Sequence, residues 1–154
     1  MSLRIQQAEV HHADDLLQLQ ILSYQSEAEI YQNWTIDPLV ETLEEMTAAF
    51  DTHVILMARI GEQLAGSVRA RLHEGACEIG RVFVSPDFQG KGIGRTLMAA
   101  IEREFEHASH FSLFTGIDSE RNISFYEKLG YSITGSRLAK QQIELVIMQK
   151  ENKR

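Results

Sequence analysis

The 154-residue sequence predicts one mixed α/β domain, in which a mixed sheet carries helices on both faces. Short apolar runs bounded by turn residues are typical of strands, and longer runs with apolar residues three or four positions apart are typical of helices. These runs follow one another in the order β-α-α-β-β-β-α-β-α-β-β. A chain of this length can bury an adequate core, so we expect a single domain over residues 1–154 with its core at about 3–149.

The N-terminal third predicts one strand and two helices. The run Leu3 to Glu9 alternates in polarity like a strand, and Ala13 to Tyr31 carries leucines at near-helical spacing. The second run predicts a helix that reaches at least Ser26. The segment Thr35 to Pro38 ends this helix, because proline cannot continue it. Another helix is expected from about Leu39 to Phe50, with its apolar residues on one stripe.

Three strands are predicted next. His53 to Ile60 and Leu64 to Leu72 flank a short turn and predict a hairpin, and Ala76 to Val84 follows a second turn. The first of these runs is almost entirely apolar, as a strand covered on both faces should be. In the second run, apolar residues alternate with Arg69 and Arg71, so one of its faces is polar or contacts a ligand.

The second half of the chain alternates between helices and strands. Gly92 to Glu106 has apolar residues at four-residue intervals and predicts an amphipathic helix. His110 to Ile117 predicts a strand, and Glu120 to Leu129 predicts a helix. Tyr131 to Leu138 and Gln142 to Met148 predict a closing hairpin.

Charge is distributed unevenly along the chain. The net charge is −7, and ten acidic residues but no Lys or Arg lie between Arg4 and Arg59. Proteins that bind nucleic acid use clustered Lys and Arg to displace counterions from phosphates, so this composition argues against a nucleic-acid partner. No apolar run approaches the ~20 residues of a membrane span, and the N-terminus lacks the pattern of a signal peptide. We therefore expect no membrane partner and a cytoplasmic location.

The cysteine and the histidines do not predict a metal site. Cys77 is the sole cysteine and cannot form an internal disulfide. Because it precedes a polar strand residue, its side chain is expected to face the core. His11 and His12 are adjacent and the other four histidines are scattered, and none has the carboxylate or cysteine spacing of a metal-binding motif. We expect no metal.

A glycine-rich turn joins the predicted strand Ala76 to Val84 to the helix that follows. Glycines let the main chain curl so that its N–H groups converge, and a helix start adds unpaired donors and the positive end of the helix dipole. Phosphate is therefore the expected ligand. The nucleotide-triphosphate loop and the dinucleotide fingerprint both fit poorly, because Arg95 follows Gly94 and Leu97 stands where a third glycine is needed.

Two motifs resemble those of the Gcn5-related N-acetyltransferases, the GNAT family. The segment Gln89 to Gly94 resembles the family's Gln/Arg-x-x-Gly-x-Gly/Ala pyrophosphate loop, and Asn122 to Tyr131 resembles its Asn-x-x-x-Tyr-Glu-Lys-x-Gly-Phe/Tyr segment. The resemblance covers residues 54–149. It implies a seven-stranded sheet that splays between its fourth and fifth strands, here Ala76 to Val84 and His110 to Ile117. The pantetheine arm of acetyl-CoA would lie in the gap, where it can pair with strand-edge groups.

The resemblance implies that acetyl-CoA is the co-substrate and that three segments contact it. The end of the fourth strand would bind the pantetheine, the glycine-rich turn would bind the diphosphate, and the second motif would add an asparagine and a tyrosine. The expected residues are Val82, Phe83, Val84, Gln89, Gly90, Lys91, Gly92, Ile93, Gly94, Arg95, Asn122 and Tyr126. Two alternatives are that the glycines form only a tight turn and that Asn122 only caps its helix. Ser119 is expected to be the N-cap of that helix.

The resemblance also implies two catalytic residues. Family tyrosines at the position of Tyr126 protonate the departing thiolate, a transfer that a positioned phenol can make. Glu78 precedes Gln89 by eleven residues, the spacing at which histone-modifying members place the glutamate that accepts the proton of the amine. The amine would attack the thioester directly in a ternary complex. The alternatives are that Tyr126 only packs its helix and that Glu78 is solvated or paired with Arg69 or Arg71.

The resemblance places the acceptor, the amine that receives the acetyl group, beside the first two helices and their connection, here Tyr24 to Glu45. Six carboxylates, Tyr31 and Trp34 lie in this stretch, and carboxylates beside aromatic rings suit a cationic amine. We therefore expect a small-molecule or peptide acceptor with a positive charge; the alternative is that these side chains are only solvated or pack a loop. Family members often pair through their C-terminal strands, which makes a homodimer plausible. The competing function is a non-catalytic acyl-CoA-binding sensor or regulatory module.

Overall fold

Seven strands form one mixed sheet in the computed structural model, which describes residues 2–153. The strands are β1 (Leu3–Gln7), β2 (Val54–Ile60), β3 (Gln63–His73), β4 (Ala76–Val84), β5 (His110–Gly116), β6 (Ser132–Leu138) and β7 (Glu144–Glu151). The helices are α1 (Ala13–Ser23), α2 (Gln25–Tyr31), α3 (Asp37–Val40), α4 (Leu43–Ala49), α5 (Ile93–Glu104) and α6 (Glu120–Lys128). None of the described helices is long and apolar enough to cross a membrane.

The sheet is parallel at one place, near its centre. Its strands lie in the order β1-β2-β3-β4-β5-β7-β6, and of the described neighbours β4 and β5 run parallel while the others run antiparallel. The ladder between β4 and β5 consists of Cys77 opposite Phe111 and Glu78 opposite Ser112. Beyond Glu78 the strands diverge, so main-chain groups on the facing edges have no strand neighbour. The predicted seven-stranded mixed sheet, splayed between its fourth and fifth strands, is confirmed.

Helices cover both faces of the sheet. On one face α5 buries Leu97 against β2, β3 and β4. On the other face α1 and α4 bury Leu16 and Met46 with Met57 of β2. Because successive strand residues point to opposite faces, Met57 and its neighbour Leu56 belong to different cores. This two-sided burial explains the almost entirely apolar sequence of β2.

The first predicted helix, from Ala13 to at least Ser26, is two helices in the structure. Tyr24 ends α1 and precedes α2 with φ −87° and ψ 2°, which interrupts the helical backbone. Its hydroxyl donates a hydrogen bond to the carbonyl of Val82 on β4 (3.2 Å). The bend at Tyr24 thus serves a contact between residues far apart in sequence, which helical periodicity cannot reveal.

The second predicted helix, Leu39 to Phe50, is also divided. Helix α3 ends at Val40, and Glu41 has an extended backbone with ψ 131°. Thr42 then caps α4, because its Oγ1 accepts from the N–H of Glu45 while the Glu45 carboxylate accepts from the N–H of Thr42. This reciprocal capping box begins a new helix. The other predicted elements agree with the observed ones within three residues at each end.

Candidate active site

The glycine-rich turn has the main-chain geometry of an anion site. Gly90 and Gly92 adopt φ angles of +77° and +79°, which any residue with a Cβ would adopt only under strain. Gly92 is the N-cap of the twelve-residue helix α5. From Gln89 to Arg95, no main-chain N–H donates to an acceptor within residues 2–153. These unpaired donors lie at the positive end of a helix dipole, so the turn can bind a diphosphate.

The side chains of the turn have different surroundings. Ile93 is buried in the core and offers only its N–H. Lys91 and Arg95 are exposed and form no ion pair with a described residue, so both can add positive charge beside the turn. A Cβ at Gly94 would lie 3.2 Å from Cζ of Phe125. Phe125 therefore packs α6 against the start of α5.

A cavity of about 180 Å³ lies where β4 and β5 diverge. Its walls come from β4, β5, α6, the N-terminal helices and the connection between β6 and β7. Val82 of β4, Thr115 of β5 and both Asn122 and Tyr126 of α6 line it. Phe83, a predicted coenzyme contact, is buried and does not line this cavity. The splay thus brings the end of the fourth strand and the second motif to one place.

The end of β4 carries an irregularity beside the cavity. Arg81 adopts a φ of +49° where the pairing register with β3 shifts, as in a β-bulge. The carbonyl of Val82 accepts the hydrogen bond from Tyr24, and the carbonyl of Val84 accepts one from Nε2 of Gln89 (3.4 Å). Two carbonyls at the end of this strand therefore already have side-chain partners.

Tyr126 is a buried residue that brings its hydroxyl to the cavity. The residue is 7% exposed, and its ring lies edge-on to those of Phe125 and Tyr131, with centroids 5.1 and 6.0 Å away. Its hydroxyl forms no hydrogen bond with a described residue. Burial raises the pKa of Tyr126, and the nearby Tyr24 and Glu27 raise it further. The phenol therefore stays protonated at neutral pH and has a proton to donate.

Ser119 and Asn122, at the start of α6, have partners outside the helix. Ser119 occupies the N-cap position, but its hydroxyl donates to Oε2 of Glu27 (3.1 Å) and forms no bond with the helix. The prediction that Ser119 is the N-cap residue of this helix is confirmed, although its hydroxyl is oriented toward this carboxylate and not toward the helix N–H groups. Nδ2 of Asn122 donates to Oγ1 of Thr115 (3.3 Å), so the side chain of Asn122 does not cap the helix either. Its contact with the coenzyme stays a prediction.

Glu78, the predicted base, lies outside the cavity. Its carboxylate pairs with Nε of Arg71 at 3.1 Å, and both side chains are more than 40% exposed. The two residues face each other in the ladder between β3 and β4. The alternative of a pair with Arg71 is therefore what the structure contains. The catalytic role of Glu78 stays a prediction.

A buried ion-pair cluster attaches the N-terminal helices to the sheet. Glu41 is 9% exposed and accepts from Nη1 of Arg69 (2.9 Å) and Nε of Arg81 (3.0 Å). Nε2 of Gln20, on α1, donates to the same carboxylate (2.9 Å). Burial acts to raise the pKa of Glu41, but the hydrogen bond from Gln20 and the two arginines outweigh it and hold this pKa below its usual value. The cluster thereby holds Arg81, which lines the cavity.

Part of the stretch Tyr24 to Glu45, which is predicted to contact the acceptor, reaches the cavity. Tyr24, Glu27, Tyr31 and Asp37 line it, whereas Trp34 is 47% exposed and lies outside. The sequence indicated this stretch as a whole but gave no signal for which of its residues face the cleft. Arg81, which also lines the cavity, was missed altogether, because its position depends on the register of a bulge.

Cys77 has the environment of a core residue. It is fully buried, as expected, and burial raises the pKa of its thiol to about 12. In the part of the chain that the structure describes, no three His, Cys, Asp or Glu residues lie together as metal ligands would.

A family model and a curated protein match this chain. Residues 19–152 match the model described as an acetyltransferase (GNAT) domain. An uncharacterised N-acetyltransferase of Methanocaldococcus jannaschii is 37% identical over 59 residues, which are 35% of this chain and 25% of that protein. The chain thus spans about a quarter of the length of this curated relative.

Solved structures share the fold over nearly the whole chain. PaiA N-acetyltransferase from Thermoplasma acidophilum, in complex with coenzyme A, has a TM-score of 0.81 at 18% identity, covering 98% of this chain and 99% of that one. The ribosomal-protein-S18-alanine N-acetyltransferase of Escherichia coli has a TM-score of 0.76 at 16% identity, covering 97% and 94%. At these identities the likeness shows the fold. Because the family model matches most of its residues, the chain belongs to the GNAT acetyltransferase family.

Proposed function

We propose that this GNAT protein is an acetyl-CoA-dependent N-acetyltransferase that transfers an acetyl group to a primary amine. The observation that supports this most strongly is the run of unpaired main-chain N–H groups from Gln89 to Arg95, at the start of α5. The preceding strand, β4, lines the cavity with Val82, and Tyr126 lines the same cavity with a protonated hydroxyl. The strand that lines this cavity thus leads into the glycine-rich turn, and the proposed proton donor lines the cavity itself.

The residues present fit coenzyme A. Its diphosphate needs several donors at one point, and the turn offers N–H groups with Lys91 and Arg95 beside them. Its pantetheine arm carries amides, which suit the edges of β4 and β5 that have no strand neighbour beyond Glu78. Asn122 lines the same cleft and is proposed to bind this arm. When bound, the coenzyme supplies an acetyl group activated as a thioester.

Tyr126 is proposed as the proton donor to the sulfur that leaves. The burial that raises the pKa of this phenol also disfavours a free thiolate at the same place, so a proton transfer as the C–S bond breaks avoids a buried charge. Cys77 has no part in this step, because burial keeps its thiol protonated. Acetyl transfer is then direct, from the bound coenzyme to the bound amine.

The acceptor is proposed to be a small-molecule or peptide amine with a positive charge. Glu27 and Asp37 place carboxylates in a cavity that tyrosine rings also line, an arrangement that suits an ammonium group. Glu78 remains a proposal for the base on its spacing alone, because its carboxylate is paired with Arg71 outside the cavity. A cytoplasmic location remains a prediction from the sequence.

A homodimer also remains a proposal. Strand β6 forms one edge of the sheet and exposes Ile133 and Leu138. An edge strand with exposed apolar side chains is a surface on which a second copy can pair. A mass in solution of twice the 17.5 kDa of one chain would support the dimer, and the mass of one chain would contradict it.

The test is the release of coenzyme A thiol from acetyl-CoA in the presence of amines. The panel contains spermidine, a lysine peptide and an aminoglycoside, with neutral and anionic amines for comparison. We expect thiol release with at least one cationic amine, together with an acetylated product of matching mass. A non-catalytic acyl-CoA sensor, the competing function, would bind acetyl-CoA in calorimetry but release no thiol with any amine. Faster release with neutral or anionic amines would contradict the proposed acceptor class.

A further inference from the structure

Glu27 is a partly buried carboxylate without a countercharge. It lies on α2 and lines the cavity between β4 and β5. Its Oε2 accepts the hydrogen bond from Ser119 (3.1 Å), and it forms no ion pair with a described cation. Burial raises the pKa of Glu27, and the bond from Ser119 acts against this rise. Because a partly buried carboxylate without a cation is costly, the site suits a ligand that brings one.

Aromatic rings share the cavity with this carboxylate. Three tyrosines, Tyr24, Tyr31 and Tyr126, line it. Burial raises the pKa of all three hydroxyls, and the charge of Glu27 raises each of them further. The Tyr31 hydroxyl is held in place because it accepts the main-chain N–H of Asp118 (2.9 Å). Tyrosine rings attract ammonium groups through cation–π contact. A carboxylate among such rings is therefore suited to recognise an ammonium ion.

Helix α6 connects Glu27 to the proposed proton donor. Its partner Ser119 is the N-cap of α6, and Tyr126 lies seven residues further on, about two helical turns away. Glu27 and Tyr126 line the same cavity. An amine bound at Glu27 would therefore lie in the cavity that also holds the Tyr126 side chain.

We propose that Glu27 binds the ammonium group of the acceptor and accepts its proton, an inference that rests on the proposed acetyltransferase function. Oε1 of Glu27, which has no hydrogen bond to a described residue, takes one proton and leaves a neutral amine. The nitrogen lone pair forms the C–N bond with the acetyl carbon while the C–S bond breaks, and the sulfur takes the proton of Tyr126. The nitrogen then loses a second proton, which restores Tyr126, and Glu27 returns its own proton to solvent. The sum is one amide, one thiol and one released proton.

The surroundings of Glu27 suit this role better than those of Glu78. Glu78 is held in an exposed ion pair with Arg71 and lies outside the cavity. Glu27 has no such cation, and it shares its cavity with the proposed proton donor. The proton acceptor and the proton donor would thus act on one bound pair of substrates.

The principal test compares Glu27→Gln with Glu29→Gln, which removes an exposed carboxylate from the same helix. The probes are the amines of the panel, and acetyl-CoA affinity is measured by calorimetry for every variant. We expect Glu27→Gln to lower kcat/KM for the amine about 100-fold with acetyl-CoA affinity unchanged, and Glu29→Gln to behave as wild type. Glu27→Asp keeps the charge and should recover part of the activity. A loss of activity in Glu78→Gln but not in Glu27→Gln would overturn the proposal.

A pH profile distinguishes a proton acceptor from a structural residue. The Ser119 hydroxyl stabilises the charged form of Glu27, so Ser119→Ala should raise the pKa of Glu27 further. The acid limb of kcat/KM should then move to higher pH by about one unit, and Glu27→Gln should lose this limb. The other titratable groups near the cavity are Tyr24, Tyr31, Asp37, Arg81, Asp118 and Tyr126. An acid limb that stays in place in Ser119→Ala would contradict the role of Glu27.

Failure of this proposal differs visibly from failure of the proposed function. If the wild type releases no thiol with any amine, the acetyltransferase function is wrong and the role of Glu27 falls with it. If the wild type acetylates an amine and Glu27→Gln does so equally well, the role of Glu27 alone is wrong.

Discussion

The coenzyme side of the cleft is built from main-chain atoms, whereas the acceptor side is built from side chains. On the first side, the N–H groups from Gln89 to Arg95 have no partner among residues 2–153 and lie at the start of α5. On the second side, Tyr24 and Glu27 reach the cavity, and Glu41 fixes the neighbouring segment to the sheet. A main-chain site depends on local backbone angles, while a side-chain site depends on contacts between distant residues. Substitutions on the acceptor side should therefore alter the specificity for the amine or the stability of the fold. They should leave the affinity for the coenzyme unchanged.

The largest effect is expected for Tyr126→Phe, which should lower turnover without changing the affinity for acetyl-CoA. Tyr126→Phe removes the proposed proton donor and keeps the ring that packs against Phe125 and Tyr131. We expect kcat to fall about 1,000-fold while acetyl-CoA affinity in calorimetry stays nearly unchanged. Tyr131→Phe is the control, because it removes a hydroxyl bonded to Glu102 (2.8 Å) outside the cavity. Equal turnover in Tyr126→Phe and wild type would show that this hydroxyl donates no proton.

The next effect concerns the stability of the acceptor side. Glu41→Gln leaves Arg69 and Arg81 close together without their countercharge, so the free energy of unfolding should fall by about 3 kcal/mol at pH 7. Urea unfolding measures this difference, and Glu44→Gln, an exposed change on α4, is the control.

The same variant has a defined pH dependence. The folded state lowers the pKa of Glu41, so the stability that its charge contributes is present above the unfolded pKa and is lost as the pH falls through the folded one. The difference between wild type and Glu41→Gln should therefore shrink as the pH falls from about 5 to below 4. A difference that is constant over this range would mean that the carboxylate does not carry the effect.

A smaller effect tests the main-chain character of the coenzyme side. Gly92→Val forces a branched side chain into a φ of +79°, which distorts the turn and should weaken coenzyme A binding about 30-fold. Gly61→Val imposes the same kind of strain at a φ of +60°, in the exposed turn between β2 and β3. Both variants should lose stability in thermal unfolding, but Gly61→Val should bind coenzyme A as the wild type does. Equal binding by both variants would place the diphosphate elsewhere.

The smallest effect concerns the single side chain of α6 that is proposed to bind the pantetheine arm. Asn122→Ala should weaken coenzyme A binding about fivefold, the value of one hydrogen bond of about 1 kcal/mol. Thr115→Val removes the present partner of Asn122 and nearly keeps its own shape, so it should have less effect. If only Thr115→Val weakened binding, Thr115 and not Asn122 would make the contact.

The regular elements could be predicted from the sequence because their signals are local. Strand β4 begins and ends at the predicted residues, Ala76 and Val84, since turn residues bound its apolar run. The breaks at Tyr24 and Glu41 could not be predicted, because each serves a contact with β4, which lies far along the chain. Helical spacing continues across both breaks and hides them.

The candidate site also has parts that the sequence predicts and parts that it does not. The glycine-rich turn could be predicted, because glycine angles and the start of a helix are encoded within a few residues. The pairing of Glu27 with Ser119 could not, because these residues are 92 positions apart. Glu78 stands at a spacing that matches the family, yet the spacing does not reveal that Arg71 neutralises it. Local motifs therefore predict the proposed coenzyme site well. They do not predict which carboxylate contacts the amine that accepts the acetyl group.

The central claim is that the main-chain donors at the start of α5 bind the diphosphate of coenzyme A. Calorimetric titration with coenzyme A and with pantetheine, which lacks the diphosphate and the nucleoside attached to it, tests it, and Gly92→Val, which distorts the turn, should remove most of the difference between the two. We predict that coenzyme A binds about 100-fold more tightly than pantetheine, because pantetheine cannot form the charge-assisted hydrogen bonds that the diphosphate makes. Equal affinity for the two compounds, or no affinity for coenzyme A, would contradict the claim.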